Sequence, residues 1–314
     1  MTQYIFKRVL LIIPTLFLVT AGLFSMIRLL PGDIATLMVS EQGYAADIEG
    51  IRKMLGLDQP IGVQFVKYMG DVLRFDLGTS LWTKRAVIQE LMLRLPVSVE
   101  LGLLAIAISL VLAIPIGVVS AIRQDSLADY AGRIFAIGGL SVPSFWISTL
   151  ILVLPAAYFG WAPPLKFVPL LEDPIQNLEL FLIPATIMGI HMSAGVMRMT
   201  RAMLLEVLRQ DYIRTAWAKG LTEQAVIYAH ALKNAMIPVV TILGMQLSLT
   251  LGGTVIMESI FNLPGMGRLL IDAISWRDYP VVQGVNLVVA AAIIMLNLVV
   301  DITYGYLDPR IRYR

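Results

Sequence analysis

The chain has 314 residues, of which 58% are hydrophobic and 15% are charged, whereas soluble domains are roughly 45–50% apolar and about 25% charged. Its mean hydropathy of +0.78 leaves too little polar surface to cover a water-soluble globule. The 24 basic and 22 acidic residues give a net charge of only +2. The sequence therefore lacks the positive field that nucleic-acid binding requires and predicts no nucleic-acid partner. The composition indicates an integral membrane protein.

Several chemical functions are excluded by the residues that the sequence lacks. The chain contains no cysteine, which excludes disulfides, thiolate metal sites and cysteine nucleophiles. Its two histidines, His191 and His230, match no metal-ligand spacing. It also contains no Gly-Lys pair, which a phosphate-binding loop of the Walker type needs. We therefore expect no metal-binding residues and no ATP-binding loop in this chain, and if ATP is used, another chain must bind it.

Apolar segments predict an all-α membrane protein with six transmembrane helices, because a helix needs about 20 residues to cross a bilayer. The first segment follows Lys7 and Arg8 and could be a signal peptide. However, it exceeds the ~7–15 apolar residues of a signal peptide, and no cleavage pattern follows it. We therefore interpret it as a retained helix. The predicted spans are Val9–Leu30, Val99–Ile122, Ile134–Phe159, Leu180–Met197, Ala235–Met257 and Val281–Val300.

The distribution of basic residues predicts that both termini are cytoplasmic. With the N-terminus inside, the two short external loops carry only Lys166, Arg268 and Arg277, and membrane proteins keep their excess of Lys and Arg on the cytoplasmic side. The long external segment escapes this rule, since loops beyond about 60 residues translocate regardless of charge. The internal basic residues are Lys7, Arg8, Arg123, Arg133, Arg198, Arg201, Arg209, Arg214, Lys219, Lys233, Arg310, Arg312 and Arg314.

This topology divides the chain into three parts. Residues 1–30 form a cytoplasmic N-terminus and the first transmembrane helix, and residues 31–96 form a large external segment of balanced charge. Residues 97–314 form a five-helix transmembrane core, which contains a cytoplasmic loop at residues 198–234.

Few ionisable residues fall within the predicted spans, and such residues usually mark ion or proton pathways. They are Arg28 and Asp301 near span ends and His191 inside the fourth span. His191 is either a substrate-path or relay residue, or a neutral imidazole hydrogen-bonded between packed helices. Because no carboxylate in a span core is available to pair with it, we favour the second interpretation and do not expect a proton-coupled carrier.

The loop between the fourth and fifth spans contains the most informative local pattern. Asp211 can cap a short helix over Tyr212–Lys219, and Gly220 can end it in the left-handed conformation. Thr222 can then cap the helix that follows. Ala216 and Gly220 lie four residues apart, so they offer a small-residue surface to another protein. A linker that rests on lipid headgroups is an equally good interpretation of these residues alone.

The order of residues in this loop resembles the coupling loop of permease subunits from binding-protein-dependent ABC importers. The similarity is strongest to the first, B-type permease of the dipeptide, oligopeptide and nickel branch. There Arg214-Thr215-Ala216 stands where the wider superfamily has Glu-Ala-Ala, whereas Trp217 departs from the Arg that is frequent in the branch. The two runs are Asp211–Leu221 (DYIRTAWAKGL) and His230–Pro238 (HALKNAMIP).

Further motifs extend this resemblance over nearly the whole chain. Each motif is weak by itself, but their order and spacing together are highly specific. They are Leu30–Asp33 (LPGD), Leu55–Pro60 (LGLDQP), Asp76–Ser80 (DLGTS), Glu258–Gly267 (ESIFNLPGMG), Arg277–Pro280 (RDYP) and Asp308–Arg312 (DPRIR).

The resemblance implies a permease subunit with the type I ABC-importer fold, located in the cytoplasmic membrane of a bacterium or archaeon. The partners it implies are a second homologous permease, two ATPase subunits that bind ATP and Mg, an extracytoplasmic solute-binding protein and membrane lipid. It implies no enzymatic site in this chain. The residues expected to couple the ATPases to the spans are Thr215, Ala216, Lys219 and Gly220.

The resemblance leaves the cargo open, and two other classes of protein remain as alternatives. A dipeptide or oligopeptide is the expected cargo, but nickel and glutathione permeases share the same motifs. A secondary, ion-coupled carrier should show ionisable residues in span cores or broken helices in paired halves. An intramembrane hydrolase should show a catalytic pair, whereas His191 has only Ser193 nearby and no nucleophile motif.

Overall fold

The computed structural model describes residues 2–29, 49, 52–53, 56–164 and 166–307. Over these residues the backbone is helical apart from loops and one isolated antiparallel bridge between Thr79 and Ala86. Most of the predicted external segment and the LPGD and DPRIR motifs lie outside the described residues. The α-helices are α1 (Thr2–Leu29), α2 (Ile61–Leu73), α3 (Val87–Ile122), α4 (Leu127–Ser141), α5 (Ser144–Phe159), α6 (Pro174–Leu208), α7 (Asp211–Ala218), α8 (Lys233–Ile260), α9 (Met266–Ser275) and α10 (Tyr279–Leu307), with a π-helical segment at Ala225–Leu232.

Five helical segments in the described chain are long and apolar enough to cross a membrane, and the pair α4–α5 makes a sixth span if it is counted as one. The first, second, fourth, fifth and sixth predicted spans are thereby confirmed as long apolar helices. All five helices are longer than the sequence predicted, and α3 and α6 exceed the prediction most: α3 begins at Val87, and α6 extends from Pro174 to Leu208. The five candidate spans are Arg8–Met26, Val87–Ile122, Pro174–Leu208, Ala225–Ser248 and Tyr279–Val300.

The third predicted span, Ile134–Phe159, is wrong as a single helix. It is divided between α4 and α5, which are bent by 87° relative to each other. Pro143 explains the break, because proline lacks an N–H and disfavours helical backbone in the residue before it. Val142 accordingly adopts an extended conformation with φ −95° and ψ 122°. Gly138 and Gly139 lie just before the break, and glycine weakens a helix further.

Local sequence signals determine the start of α4, the start of α6 and the end of α5. At the start of α4 the Ser126 side chain accepts a hydrogen bond from the backbone N–H of Asp129 at 3.4 Å. At the start of α6 the Asp173 carboxylate accepts hydrogen bonds from two backbone N–H groups of the first turn, both at 3.1 Å. Gly160 follows α5 with φ 64°, the left-handed conformation that commonly ends a helix. These three helix ends are therefore determined by residues at the ends themselves.

The chain forms two compact units, one comprising Met1–Ile5, Arg94–Leu269 and Ala292–Arg314 and the other comprising Phe6–Leu93 and Leu270–Ala291. The second unit includes an aromatic cluster between α1 and α2. In that cluster the rings of Phe24 and Phe65 lie 5.2 Å apart and those of Phe24 and Tyr68 lie 5.6 Å apart. These edge-on and tilted ring contacts pack α1 against α2 within the unit.

The core of the first unit lies between α3, α6 and α8. The helices α3 and α6 approach each other closely at Gly189, where an added Cβ would lie 2.9 Å from the carbonyl oxygen of Ala105. Small residues allow membrane helices to approach this closely, so any larger residue would push α6 away from α3. The fully buried side chains of this core include Leu101, Phe181, Ala185, Leu263 and Val97.

Candidate functional site

The predicted coupling helix, α7, packs on a buried apolar cluster at one end of the first unit. Ile213 of α7 is fully buried, and Ala216 is only 7% exposed. The cluster brings together three long helices and the π-helical segment beneath α7. We call it the inner cluster, and its buried members are Val118, Ala121, Leu204, Ile213, Ala216, Val226, Ile227, Ala231 and Ala235.

The exposed side of α7 differs from the surface that the sequence suggested. Thr215, Lys219 and Gly220 are exposed, as a contact with another protein requires. Ala216 instead faces the inner cluster, because it lies three residues after Ile213 and so shares its helical face. Ala216 and Gly220 therefore do not form one exposed small-residue surface. Trp217, which is 46% exposed, occupies part of the free side instead.

The sequence predicted the C-terminal end of α7 correctly but not its N-terminal end. Gly220 has φ 77°, which confirms the predicted left-handed conformation. Thr222 also acts as predicted, since its hydroxyl accepts a hydrogen bond from the backbone N–H of Ala225 at 3.4 Å. The predicted Asp211 cap is wrong: α7 begins at Asp211 itself, whose carboxylate pairs with Arg214 at 3.1 Å. In the first turn that acid still complements the helix dipole.

A π-helical segment at Ala225–Leu232 connects Thr222 to α8. The side-chain amide of Asn234, in the first turn of α8, donates to the hydroxyl of Tyr212 in α7 at 2.9 Å. It also lies 3.2 Å from the carbonyl oxygen of His230 inside the π-helical segment. Such segments often occur at functional sites. No local sequence pattern predicts this segment, because its residues are equally compatible with an α-helix.

A buried ion network ties three helices together beside the inner cluster. Asp129 of α4 is fully buried, and both of its oxygens accept hydrogen bonds from Arg201 of α6, at 2.7 and 2.8 Å. Arg133, one turn further along α4, reaches the same carboxylate at 3.2 Å. Ser120 of α3 donates to it as well. The two-pronged Arg201 contact is the strong form of a charge-assisted hydrogen bond. Sequence reasoning used these arginines only for topology and missed the network.

The Glu258–Gly267 motif forms a second buried polar site, at the end of α8. Glu258 is fully buried, and its carboxylate accepts hydrogen bonds from the Ser98 hydroxyl at 2.6 Å and from the backbone N–H of Arg268 at 2.9 Å. The Ser98 hydroxyl in turn accepts from the backbone N–H of Met266 at 2.8 Å. Gly265 lies against the carboxylate so closely that an added Cβ would overlap it. The loop of the Glu258–Gly267 motif is thus packed around the Glu258 carboxylate.

The structure corrects the inventory of polar groups within the spans. Glu100 is the second residue of the predicted second span, and it was missing from the ionisable residues counted within the spans. Its side chain lies close to that of Asn177 of α6, which is itself fully buried. One Glu100 oxygen and the Asn177 side-chain oxygen accept no hydrogen bond from any residue the structure describes. His191 Nδ1 lies 2.9 Å from the carbonyl oxygen of Gly139 in α4, so the imidazole ring forms a hydrogen bond that links α6 to α4.

In the second unit, two motifs that are distant in sequence meet. The Ser80 hydroxyl, at the end of the DLGTS motif, donates to the Asp278 carboxylate of the RDYP motif at 2.5 Å. The backbone N–H of Leu81 donates to the other oxygen of Asp278 at 3.2 Å. The indole of Trp82 donates to the carbonyl oxygen of Trp276 at 2.7 Å. These contacts join the segment before α3 to the turn before α10.

The described residues include no group of three or more His, Asp or Glu side chains that could hold a metal ion. The five long apolar helices, together with the broken span α4–α5, define a multi-pass membrane protein. Residues 113–313 match the family described as the inner membrane component of binding-protein-dependent transport systems. Residues 1–102 match the family for the N-terminal part of such membrane components.

Similar proteins cover the chain from end to end. A Brucella abortus protein named provisionally as a peptide transport system permease is 43% identical over 313 residues, with 100% of both chains covered. The glutathione transport system permease protein GsiC of Pectobacterium atrosepticum is 39% identical, and the dipeptide transport system permease protein DppB of Escherichia coli is 38% identical. Both of these alignments also cover 100% of each chain.

The chain belongs to the family of inner membrane components of binding-protein-dependent transport systems. It is thus a multi-pass permease subunit of an ABC importer in the bacterial inner membrane, and members of this family are transport subunits rather than enzymes. A transporter of this kind also includes a solute-binding protein and an ATPase.

Proposed function

We propose that this chain carries dipeptides or short oligopeptides across the membrane, as one of two homologous permeases in a complex with two ATPase subunits and one solute-binding protein. One observation supports the cargo above all: relatives named as peptide and dipeptide permeases are 43% and 38% identical to this chain over its full length. Glutathione is the second candidate, because a glutathione permease is 39% identical over the same extent. Since glutathione is itself a tripeptide, both candidates share peptide chemistry.

In this proposal the ATPase subunits bind ATP and Mg. The absence of any Gly-Lys pair from this sequence supports that division, because the common phosphate-binding loop needs a lysine after its last glycine. Each permease offers one short helix like α7, so two permeases would engage two ATPases.

The coupling contact in this proposal is formed by Thr215, Ala216, Lys219 and Gly220, in two different ways. Thr215, Lys219 and Gly220 are exposed and would touch the ATPase directly. Ala216 would act from below, since its small side chain lets α7 lie close to the inner cluster. That cluster includes residues of α3, α6 and α8, so a displacement of α7 on ATP binding would move spans rather than a loose loop.

Reconstitution of the complete importer in proteoliposomes tests this proposal. With ATP inside and loaded binding protein outside, we expect uptake of a labelled dipeptide that stops when ATP is omitted and persists with a proton uncoupler. Unlabelled dipeptide should compete, whereas Ni²⁺ should not. Competition by glutathione alone would replace the dipeptide assignment with the second candidate. Uptake that the uncoupler abolishes would contradict the ATP-driven mechanism.

A further inference from the structure

A cavity of about 340 Å³ lies beside the break between α4 and α5. Its walls come from α4, α5 and α6, and they are almost entirely aliphatic. Sites for small molecules measure about 300–1,000 Å³, so this one is large enough for one or two side chains but not for a long peptide. Its lining includes Val142, Ser144, Ile151, Ile183, Thr186 and His191.

The position of the cavity at a helix break is the first argument that it has a ligand. Non-helical backbone at membrane depth is tolerated only where protein buries it or where it lines a cavity. Val142 and Ser144, on either side of Pro143, both line this one. Secondary transporters commonly build their substrate sites at interrupted helices. The break therefore places irregular backbone beside an open volume within a predicted span.

The chemistry of His191 is the second argument. Its Nδ1 lies 2.9 Å from the Gly139 carbonyl oxygen, and a carbonyl oxygen only accepts hydrogen bonds. Nδ1 must therefore carry the hydrogen, which leaves Nε2 of the neutral ring as an acceptor. His191 lines the cavity. Besides the hydroxyls of Ser144 and Thr186, the otherwise aliphatic wall thus includes one ring nitrogen that can only accept a hydrogen bond, for which a peptide N–H is a suitable donor.

We propose that this cavity binds part of the transported peptide: a bulky apolar side chain fills it, and His191 Nε2 accepts a hydrogen bond from an N–H group of the same peptide. This inference rests on the peptide cargo proposed above. A lipid acyl chain would fill the same aliphatic walls, but it has no N–H to offer, and an acceptor left unpaired in an apolar site costs about 1–3 kcal/mol. Peptides have both parts.

Ile151→Trp tests the apolar part, because it places a larger side chain in the cavity wall. In proteoliposomes containing the complete importer, the uptake rate of Leu-Leu relative to Gly-Gly should fall at least about tenfold, which is the discrimination a filled apolar pocket gives. The matched control is Ile137→Trp, since Ile137 is on α4 and 61% exposed, away from the cavity. It should leave the ratio of the two rates unchanged.

His191→Leu and His191→Gln test the polar part. The first removes the acceptor, and we expect the KM for Leu-Leu and Gly-Gly to rise about tenfold while their ratio stays constant. The second keeps a side-chain oxygen that accepts, so transport should largely return. Equal loss in both variants would assign His191 a structural role and overturn its part in the site.

The remaining outcomes separate this inference from the proposed cargo. If the native importer carries no peptide, both fail. If it carries both dipeptides and Ile151→Trp leaves their ratio unchanged, only the cavity site fails; loss of co-purified lipid from that variant would then assign the cavity to an acyl chain. Should Ile151→Trp not assemble with its partners, Ile183→Phe fills the same cavity from α6 and is judged by the same ratio.

Discussion

At the scale of single residues, two carboxylate–arginine pairs of this chain differ in their surroundings. The Asp129 carboxylate is fully buried and held by Arg201 at 2.7 Å, whereas the side chains of Asp211 and Arg214 are 94% and 75% exposed. Water screens an exposed pair, and most such pairs contribute about 0–1 kcal/mol. A buried charge that loses its partner has no such screening.

Asp129→Ala should therefore destabilise the protein strongly. The change removes every hydrogen bond that Arg201 makes to the Asp129 carboxylate, and hydrogen bonds to charged groups contribute about 1.5–3 kcal/mol each. We expect a clear fall in the melting temperature of the detergent-solubilised protein. Asp211→Ala is the matched control and should cost less than about 1 kcal/mol. Equal melting temperatures for the two variants would show that the buried network does not stabilise the packing of α3, α4 and α6.

At the scale of secondary-structure elements, the helix boundaries follow short signals, whereas the helix faces do not. Gly220 ends α7 with φ 77°, and Pro143 ends α4, each through the backbone preferences of one residue. Which side of α7 is buried depends instead on the inner cluster, which is assembled from four other segments. The exposed end of α7 at Gly220 is therefore where coupling is best tested.

Gly220→Val should uncouple the ATPase from transport. No described atom lies within 4 Å of the position a Cβ would take, so the substitution does not clash within this chain. It does force a β-branched residue to φ 77°, which costs of order 1–3 kcal/mol and shifts the turn. We expect the variant to insert normally and to lose stimulation of ATP hydrolysis by the loaded binding protein.

Gly220→Asn is the control for this experiment, because asparagine tolerates the left-handed conformation. If the turn geometry carries the coupling, ATP hydrolysis in the asparagine variant should remain stimulated. Loss of stimulation in both variants would indicate that a partner cannot accommodate any side chain there. Full stimulation in the valine variant would remove Gly220 from the proposed contact.

At the scale of the whole molecule, the orientation in the membrane follows from the basic residues and is directly measurable. The chain has no cysteine, so single cysteines at Gln59, Glu172 and Gln224, all exposed, give clean reporters. In intact cells an impermeant thiol reagent should label positions 59 and 172, because both lie in predicted external segments. Position 224 should react only after the cells are permeabilised. Labelling of position 224 in intact cells would overturn the model with both termini inside.

The sequence by itself determined the membrane class, five of the six spans as helices, the left-handed end at Gly220 and the family. Each of these depends on a local run of residues. Apolar runs become helices in a membrane because a helix satisfies its own backbone hydrogen bonds, and Gly220 needs no contact to adopt φ 77°. The ordered motifs along the chain then identified the family, which the match over residues 113–313 confirms.

Only the tertiary structure decided which polar groups pair and which helix faces are buried. Asp129 meets Arg201 from 72 residues further along, and Ser98 meets Glu258 across 160 residues. No local pattern encodes such pairs, since they depend on how two helices cross. The burial of Ala216 also depends on packing. Its spacing from Gly220 suggested an exposed surface, but Ala216 is buried in the inner cluster. Local backbone preferences act over only a few residues. Packing against distant segments, in contrast, determines which side chains stay exposed and can contact another protein.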